Sequence, residues 1–558
     1  MMRSLRLALP LLLACLALPA TAQLRIEAPA ALASRLSPFL QAEAGPQRLQ
    51  AQARDILATE GYFSPNIDIV DHDGLQLRVD PGPRTLIERV DLNVDGPIDK
   101  ERRQALISGW RLPAGQPFRQ EDWNTAKQQV LAELLANEHA DARLVDSRAD
   151  IDAEAARATL SARYDAGPRY RYGELEFSGL HRYTPELVAR YNRQVRPGEP
   201  YRAADLQTLT GILQSTPYFA SVRAELDTAA AQIDADGNAV APVRLRMRER
   251  PGHRAGFGIG ASSNTGARVE ANYNTPDLFG QAWEFDTGLR LEQKRQTFYS
   301  DVILPPDDKQ RRHSIGFVRE ASDIESLRTE RYGLGIQSVQ QRGSVEQRLS
   351  LNWQRETRWP DGSVDITSRA LVPNAMWTWR QIDNLLDPRA GTVLQLSVGG
   401  GAKAALSDQN FVRLHGRIQH YLPVGPRDTL ALRGELGRTF ADSRLRIPQD
   451  YLFRAGGTGS VRGYAYQSLG IKEGEATVGG RYLAVASAEY THWLNDDWGL
   501  ALFVDAGDAV DGLKDIRLAT GYGLGVRWRS PAGPIGADLA YGEREGRLQL
   551  HFSLAIPF

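Results

Sequence analysis

From about residue 254 to the end of this chain, apolar and polar residues alternate in segments of about ten residues. In the final segment, one face carries Leu548, Leu550, Phe552, Leu554, Ile556 and Phe558, and the other carries Arg547, Gln549, His551 and Ser553. A period of two is typical of β-strands that have one apolar and one polar face. The second half of the chain is therefore predicted to be an all-β domain.

A soluble sandwich and a membrane barrel both fit this alternation, but a sandwich hides its apolar face against a second sheet. Three features favour the barrel. The N-terminus has the pattern of an exported protein, eight of the ten tryptophans lie beyond residue 254, and the sequence ends on an aromatic residue of an amphipathic strand. Tryptophan is enriched in the aromatic girdles of such barrels. Helical membrane spans are excluded, because each needs about 20 consecutive apolar residues.

Residues 253–558 are predicted to form a membrane β-barrel of about 16 antiparallel strands. Short links that contain Pro or Gly suit the periplasmic side, at residues 305–311, 423–427 and 530–534. The longest link, residues 439–480, falls between the eleventh and twelfth predicted strands and suits the extracellular side. The interior face is polar and charged, so either water or a plug must fill the barrel.

Residues 1–22 are predicted to be a secretory signal peptide. Arg3 and Arg6 supply its basic start, residues 7–18 are apolar, and Ala-Thr-Ala at 20–22 offers a small-residue cleavage site. A less favoured alternative is a lipoprotein signal that uses Cys15. Because Cys15 is the single cysteine, the rest of the chain is neither a disulfide scaffold nor a thiolate metal site.

The first half of the chain contains a repeat. Three similar segments each end in a turn glycine, and Gly82, Gly167 and Gly252 are spaced by 85 residues. A fixed period of this size indicates a repeated module. Helical stretches between strand patterns predict three β-α-α-β-β modules, at residues 23–82, 83–167 and 168–252. The modules are either globular spacers or docking sites where an extended polypeptide adds to a sheet edge.

The long link contains a glycine-rich run that ends in Val461-Arg462-Gly463-Tyr464. A phosphate-binding loop is disfavoured, because neither Lys-Ser/Thr nor a predicted helix follows the glycines. A solvated surface loop is also disfavoured, because Arg462 stands between apolar and aromatic neighbours. We expect the link to fold into the barrel and to carry Arg462 to a buried partner.

The thirteenth predicted strand offers that partner. Its alternation directs Leu500, Leu502 and Val504 to lipid, so the lumen-facing set is Phe503, Asp505 and Gly507. Glu489 on the twelfth strand also points inward. A carboxylate in a narrow lumen needs a cation. We therefore predict that Arg462 pairs with Asp505, with Glu489 close by.

These features together resemble the BamA/TamA superfamily of outer-membrane assembly factors. The resemblance rests on the Val461–Tyr464 motif, the Phe503-x-Asp505-x-Gly507 strand, the aromatic C-terminus and two signature turns, Asp383-Asn384 with Asp387-Pro388-x-x-Gly391 and Ser530-Pro531-x-Gly533-Pro534. The repeats then resemble polypeptide-transport-associated (POTRA) domains. A chain of this length with three such modules resembles the TamA branch of the superfamily. Members of that branch are the outer-membrane subunit of the translocation and assembly module.

The resemblance implies a location in the outer membrane of a Gram-negative bacterium, with the POTRA modules in the periplasm. It implies insertion of β-barrel proteins and autotransporters into the lipid bilayer. It also implies a TamB-like partner, anchored in the inner membrane, at the first module. Neither a cofactor nor a metal nor a nucleic-acid partner is expected.

A lateral gate between the first and last barrel strands is our hypothesis for the mechanism, because these two strands must pair to close the barrel. Gly256, Gly258 and Gly260 are expected to weaken pairing of the first strand, although tight barrel curvature would explain them as well. The last strand contributes Phe552, Leu554, Pro557 and Phe558, and its proline removes one hydrogen-bond donor. A weak seam here would offer both edges to an incoming strand.

The main alternative is a two-partner-secretion channel that exports polypeptide through the lumen. Such a channel needs a helix in its pore, for which residues 31–42 are the candidate, although the first module also needs them. A porin is disfavoured by the three modules. A hydrolase is disfavoured, because the sequence contains neither Gly-x-Ser-x-Gly nor His-Glu-x-x-His, and His415 and His420 are five residues apart on one strand and face opposite sides.

Overall fold

The computed structural model describes residues 24–40, 45–71, 75–530 and 533–554. The predicted signal peptide lies outside these ranges, as do Pro557, Phe558 and the side chain of Leu554. No helix in the described ranges is long and apolar enough to cross a bilayer.

Three small α/β modules precede the barrel. The first contains β1 (Arg25–Glu27), α1 (Ala30–Leu36), α2 (Pro46–Thr59), β2 (Asn66–Asp71) and β3 (Leu75–Asp80). The second contains β4 (Leu86–Asp95), α3 (Lys100–Ser108), α4 (Gln120–Ala136), β5 (Arg143–Asp152) and β6 (Arg157–Asp165). The third contains β7 (Tyr170–Ser178), α5 (Pro185–Tyr191), α6 (Ala203–Gln214), β8 (Phe219–Leu226), β9 (Gln232–Ile233) and β10 (Ala239–Glu249).

The three sheets share one topology, which agrees with the repeat in the sequence. The last strand of each module is central, and the strand orders are β1-β3-β2, β4-β6-β5 and β7-β10-β8. In the first two modules, the opening strand is parallel to the central strand and the other neighbour is antiparallel. The short strand β9 adds to β10 and was not expected from the sequence.

Helix α4 illustrates how the modules form their cores. Its buried residues Trp123, Ala126, Val130 and Leu134 recur every three to four positions, which places them on one face. This face packs on the central strand of the second module, where Leu160 is buried in the same core. Two carboxylates in the first turn of α4 favour the helix through its dipole.

The barrel is one sheet of 16 antiparallel strands. Their bounds are β11 (Arg254–Ser262), β12 (Gly266–Leu278), β13 (Trp283–Glu292), β14 (Arg295–Ile303), β15 (Arg311–Ile324), β16 (Leu327–Arg342), β17 (Val345–Pro360), β18 (Ile366–Ile382), β19 (Gly391–Gly401), β20 (Phe411–Val424), β21 (Asp428–Phe440), β24 (Tyr482–Trp493), β25 (Trp498–Val510), β26 (Ala519–Ser530), β27 (Gly533–Gly542) and β28 (Arg547–Leu554). This architecture, with the modules before it, confirms the predicted fold class.

Alternation along each strand separates an apolar outer face from an interior face. On β26, Tyr522, Leu524 and Val526 are exposed on the outside. Glycines 521, 523 and 525 lie between them and face the interior. An outer face of this kind is what a barrel presents to lipid.

The segment 441–481 between β21 and β24 folds into the barrel, and we call it the inner loop. It contains two short paired strands, β22 (Ile471–Glu473) and β23 (Ala476–Val478). Val461 and Tyr464 near its tip are fully buried, in a cluster with Leu483, Val485 and other wall residues. Of the two expectations for the polar interior, water or a plug, the inner loop supplies a plug for part of the lumen.

The seam between β11 and β28 differs from the rest of the wall. The other neighbouring strands are joined by registered ladders. Among the described residues, β28 and the turn after β11 are joined by one hydrogen bond, from the Phe552 backbone N–H to Ser263 Oγ at 3.1 Å. Phe257 and Ile259 on the outer face of β11 are 88% and 89% exposed, because little of the described chain packs beside them.

Candidate functional site: the inner-loop tip and the seam

Arg462 lies at the centre of the site, at the tip of the inner loop. Its Nε donates to Asp505 Oδ2 at 2.7 Å and its Nη2 donates to Oδ1 at 2.9 Å. The backbone N–H of Arg462 also donates to Oδ2, at 3.0 Å. The guanidinium carbon lies 3.5 Å from the centre of the Phe503 ring. The predicted pair is thus present in the structure as a bidentate contact, with Arg462 5% exposed and Asp505 fully buried.

Two further carboxylates and a second arginine complete the charge network. Arg462 Nη1 donates to Glu489 Oε2 at 2.5 Å and to Asp538 Oδ2 at 3.2 Å. Arg527 donates to the same two groups, to Glu489 Oε2 at 2.7 Å and Asp538 Oδ1 at 2.5 Å. Buried charges are tolerated only when they are paired and hydrogen-bonded. This network therefore fixes the loop tip to β24, β25, β26 and β27 simultaneously.

Glycines allow the loop backbone to approach the wall closely. Gly463 has φ +90°, and a side-chain carbon there would lie 2.7 Å from the backbone nitrogen of Gly542. At Gly521, a side-chain carbon would overlap the carbonyl oxygen of Arg462. Gly507 serves the same purpose for Val461, whose Cγ2 would lie 2.8 Å from a carbon at that position. The lumen-facing glycines of β25, β26 and β27 form the surface on which the tip rests.

Two more hydrogen bonds tie the tip to the last strands. The Gly463 N–H donates to His551 Nε2 at 2.9 Å, and His551 is buried on β28. The Tyr464 hydroxyl donates to the Thr520 carbonyl oxygen at 2.9 Å. The whole predicted motif from Val461 to Tyr464 is therefore in contact with the barrel wall.

The sequence prediction missed three residues of this site: Asp538, Arg527 and His551. Each had a usable signal. Asp538 is the only charged residue in β27, and Arg527 and His551 take lumen-facing positions in the alternation of their strands. The sequence does not say which of these side chains meet in the lumen, because the contacts join segments that lie far apart along the chain.

The predicted gate residues that the structure describes lie on the two seam strands, whereas Pro557 and Phe558 lie outside the described residues. The expected weakening of the seam by the glycines stays a prediction. Every residue from Arg254 to Ser262 is paired with β12. Gly256, Gly258 and Gly260 face the interior, where Asn272, Glu270 and Arg268 of β12 lie over them. Phe552 on β28 is half-exposed on the outer face. The glycines therefore make room for side chains of the neighbouring strand.

In the parts of the chain that the structure describes, no group of three or more His, Cys, Asp or Glu side chains is placed to hold a metal ion. The two histidines of β20 have separate partners: His415 Nε2 lies 2.8 Å from Glu435 Oε1, and His420 Nδ1 lies 2.7 Å from Thr392 Oγ1. The site is built for packing and charge pairing, and the expectation that no cofactor binds stays a prediction.

A 16-stranded barrel with an arginine-anchored inner loop invites comparison with known families. The Omp85 superfamily domain matches residues 251–558, which is more than half of the chain. The chain belongs to the Omp85 superfamily. This confirms the predicted membership of the BamA/TamA group, whereas the finer assignment to the TamA branch stays a prediction.

The Omp85 relatives with curated descriptions include two outer membrane protein assembly factors named BamA. The protein of Nitratidesulfovibrio vulgaris is 22% identical over 391 residues, which is 65% of this chain and 48% of the relative. The protein of Neisseria meningitidis serogroup B is 26% identical over 456 residues, which is 68% of this chain and 55% of the relative. The chain thus spans about half the length of these relatives.

A solved structure shows the same fold. The crystal structure of BamA from Haemophilus ducreyi lacking POTRA domains 1–3 matches with a TM-score of 0.69 at 18% identity. The match covers 84% of this chain and 99% of that chain. Because the matched region extends beyond the barrel, the likeness includes POTRA modules as well as the strands.

Proposed function

We propose that this protein is an outer-membrane insertase that assembles β-barrel proteins, autotransporters among them, through a lateral gate between β11 and β28. The barrel would lie in the outer membrane of a Gram-negative bacterium and the POTRA modules in the periplasm. The substrates would be unfolded outer-membrane proteins that enter the lipid bilayer beside the seam. Membership of the Omp85 superfamily and the named BamA relatives support this proposal.

The observation that carries the proposal is the contrast between the seam and the rest of the wall. All other neighbouring barrel strands are held by ladders of backbone hydrogen bonds. The described part of the seam has one hydrogen bond, between Phe552 and Ser263. Backbone groups that lack a ladder partner are a template for an incoming strand, and they are costly to leave unpaired in lipid. A substrate strand would satisfy them.

The contents of the lumen favour this lateral route over export through the barrel. The inner loop occupies the lumen beside β24 to β28, and a periplasmic turn crosses toward the same strands. In that turn, Asp387 accepts a hydrogen bond from Arg529 Nε at 2.6 Å, and Arg389 Nη2 donates to the Pro426 carbonyl at 2.8 Å. A polypeptide that passed through the lumen would have to displace both. The candidate pore helix is α1, and its Leu32 and Leu36 are buried in the core of the first module.

A TamB-like partner anchored in the inner membrane is proposed to dock at the first module. The count of three modules supports the TamA branch, for which such a partner is expected. Phe39, which follows α1, is 68% exposed, and it lines a groove with Pro38 and with Ile56 of α2. Exposed aromatic side chains of this kind are frequent anchors of protein interfaces.

A reversible disulfide across the seam tests the lateral gate. Ser263→Cys and Phe552→Cys place two thiols at neighbouring positions, where the Phe552 backbone nitrogen lies 3.1 Å from Ser263 Oγ. The matched control is Leu524→Cys with Leu539→Cys, which are directly paired on β26 and β27 within the closed wall. Each protein, with Cys15 replaced by serine, would be reconstituted in liposomes and given an unfolded autotransporter barrel.

We expect oxidation to block insertion by the seam pair and a reductant to restore it, whereas the control pair inserts substrate in both states. Equal insertion by the oxidised and reduced seam pair would contradict the lateral gate. Such a result would direct attention to the lumen, where excess substrate should then protect inner-loop residues from labelling.

A further inference from the structure

The tip of the inner loop contacts both sides of the seam. On the first side, Asn264 in the turn after β11 donates through Nδ2 to Thr458 Oγ1 at 3.2 Å. On the other side, the Gly463 N–H donates to His551 Nε2 on β28 at 2.9 Å. The two barrel edges, which share one direct hydrogen bond in the described chain, are thus also connected through residues 458–463.

Residues 456–464 form a closed turn, so the two contacts belong to one rigid piece. The Gly457 N–H is shared between the carbonyl oxygens of Val461, at 3.1 Å, and Tyr464, at 3.0 Å. Ser460 Oγ accepts the N–H of Gly456 at 2.8 Å. Because of these internal bonds, Thr458 cannot follow the β11 edge while Gly463 follows the β28 edge.

We propose that the loop tip is a clasp that holds the seam closed, with Asn264 and His551 as its positioning residues. This inference rests on the proposed function, since it gives the regulation of the same gate. The clasp adds to the seam a pair of side-chain contacts that must be broken before the two edges separate. Neither residue is required for the charge network around Arg462.

The two contacts differ in strength, and this sets the direction of opening. On the β28 side, the tip is also fixed by the bidentate pair of Arg462 with Asp505 and by the contact of Arg462 with Asp538. On the β11 side, Asn264 makes one neutral hydrogen bond to Thr458. Charge-assisted bidentate contacts are stronger than a single neutral one. The first hairpin, β11 with β12, therefore swings away while the loop stays with β24 to β28.

Spin labels across the seam measure this opening without any substrate. Ile259→Cys and Leu550→Cys lie on the outer faces of β11 and β28 and are well exposed for labelling. The distance distribution between two nitroxides would be recorded in liposomes, with Cys15 replaced by serine. Variants to compare are Asn264→Ala, Thr458→Val, their double variant, His551→Leu and His551→Gln.

We expect Asn264→Ala, Thr458→Val and His551→Leu each to raise the long-distance fraction about two- to tenfold, as the loss of one neutral hydrogen bond would. The double variant should open no further than either of its single changes, because both remove one contact. His551→Gln should restore the closed distribution, because the glutamine oxygen can accept the Gly463 N–H.

Thr439→Val is the matched control, since it removes the hydrogen bond of 2.6 Å from Thr439 Oγ1 on β21 to the Tyr451 carbonyl oxygen of the inner loop, away from both edges. Its distribution should equal that of the unaltered protein. An unchanged distribution in Asn264→Ala, in a barrel that still resists SDS unfolding, would overturn the clasp. Equal opening by Thr439→Val would overturn it too. Failure of the seam disulfide to block insertion would instead refute the proposed function, whatever the labels report.

Discussion

At the scale of single residues, the site depends on Arg462 more than on any other side chain. Two arginines and three carboxylates lie together in the lumen, and Arg462 contacts all three carboxylates. Asp505 has one further side-chain partner in the described chain, Ser487 Oγ at 2.6 Å. A buried carboxylate without a counter-charge is costly. Removal of the arginine should therefore lower the stability by much more than the net free energy that the ion pair contributes.

We expect Arg462→Ala to destabilise the barrel by about 3–5 kcal/mol, because it leaves a buried charge unpaired. The loop tip should also leave the lumen, so that a thiol introduced by Val461→Cys, at a fully buried position, reacts with a maleimide. The stability is measured on gels, as the midpoint temperature at which the compact band of the folded barrel is lost.

Arg369→Ala is the control for this change, since Arg369 is largely exposed in its pair with Asp408 and should change stability by less than about 1 kcal/mol. Equal midpoints for the two variants would show that the network does not hold the loop.

Two glycines of the inner-loop tip should respond in opposite ways to alanine. At Gly463, φ is +90° and a side-chain carbon would press on the backbone of β27. We expect Gly463→Ala to cost about 1–3 kcal/mol from backbone strain alone and to expose position 461 to labelling. Gly459 has open space around it, so Gly459→Ala should be neutral in both measurements. A similar effect at both positions would contradict the close approach of loop and wall.

At the scale of elements, the link between α4 and β5 joins the second module to the start of the third. Glu138 in this link has φ +58°, its N–H donates to the Tyr201 carbonyl at 2.8 Å, and its own carbonyl accepts the Tyr170 N–H at 2.6 Å. His139 is fully buried beside it, with Nδ1 3.3 Å from the Pro168 carbonyl oxygen. Burial, together with nearby Arg102, lowers the pKa of His139 below its ordinary value of 6.5.

This link should loosen in acid. Because the folded-state pKa is lowered, the opened segment binds the proton first as pH falls through about 6.5, so the stabilisation present above that pH is lost below it. Hydrogen exchange of amides 137–142, corrected for intrinsic rates, should therefore rise between pH 7.5 and pH 5.5. His139→Gln should remove most of this pH dependence. An unchanged dependence in that variant would assign the effect to another group.

At the scale of the whole molecule, a 16-stranded barrel is wide enough to hold a water-filled channel unless something fills it. Here the inner loop packs on the lumen side of the wall next to the seam, and the turn that carries Asp387, between β18 and β19, reaches Arg529 on β26. The inner loop and this turn therefore occupy part of the lumen, and the described part of the seam has one hydrogen bond. That arrangement suits lateral insertion better than axial transport.

Removal of the inner-loop tip should open the lumen to ions. Ala455 and Leu469 exchange two backbone hydrogen bonds, of 2.8 and 2.9 Å, so a short glycine linker can replace residues 456–468 and keep this backbone contact. We expect the conductance in planar bilayers to rise severalfold. Replacement of residues 513–515, in an outer turn, should leave it unchanged. Equal conductance in all three proteins would mean that another part of the chain closes the lumen.

The sequence by itself determined the elements and the faces of the strands. Period-two alternation fixed which residues face lipid, the spacing of Gly82, Gly167 and Gly252 gave the three modules, and an inward carboxylate at Asp505 indicated a buried cation. Each of these is a local pattern, and hydrophobic burial enforces it within one strand or one repeat. The number of strands follows from counting such segments.

Only the tertiary structure decided which distant groups meet. Asp538 and His551 lie 76 and 88 residues from their partners Arg462 and Gly463, and the period of a strand does not say which strands approach across a lumen. The glycines of β11 accommodate the side chains of β12, which the sequence alone did not indicate, and their effect on the seam stays a prediction. The seam, the clasp and the loop anchor arise where barrel closure brings the first and last strands together, and closure is a property of the whole sheet.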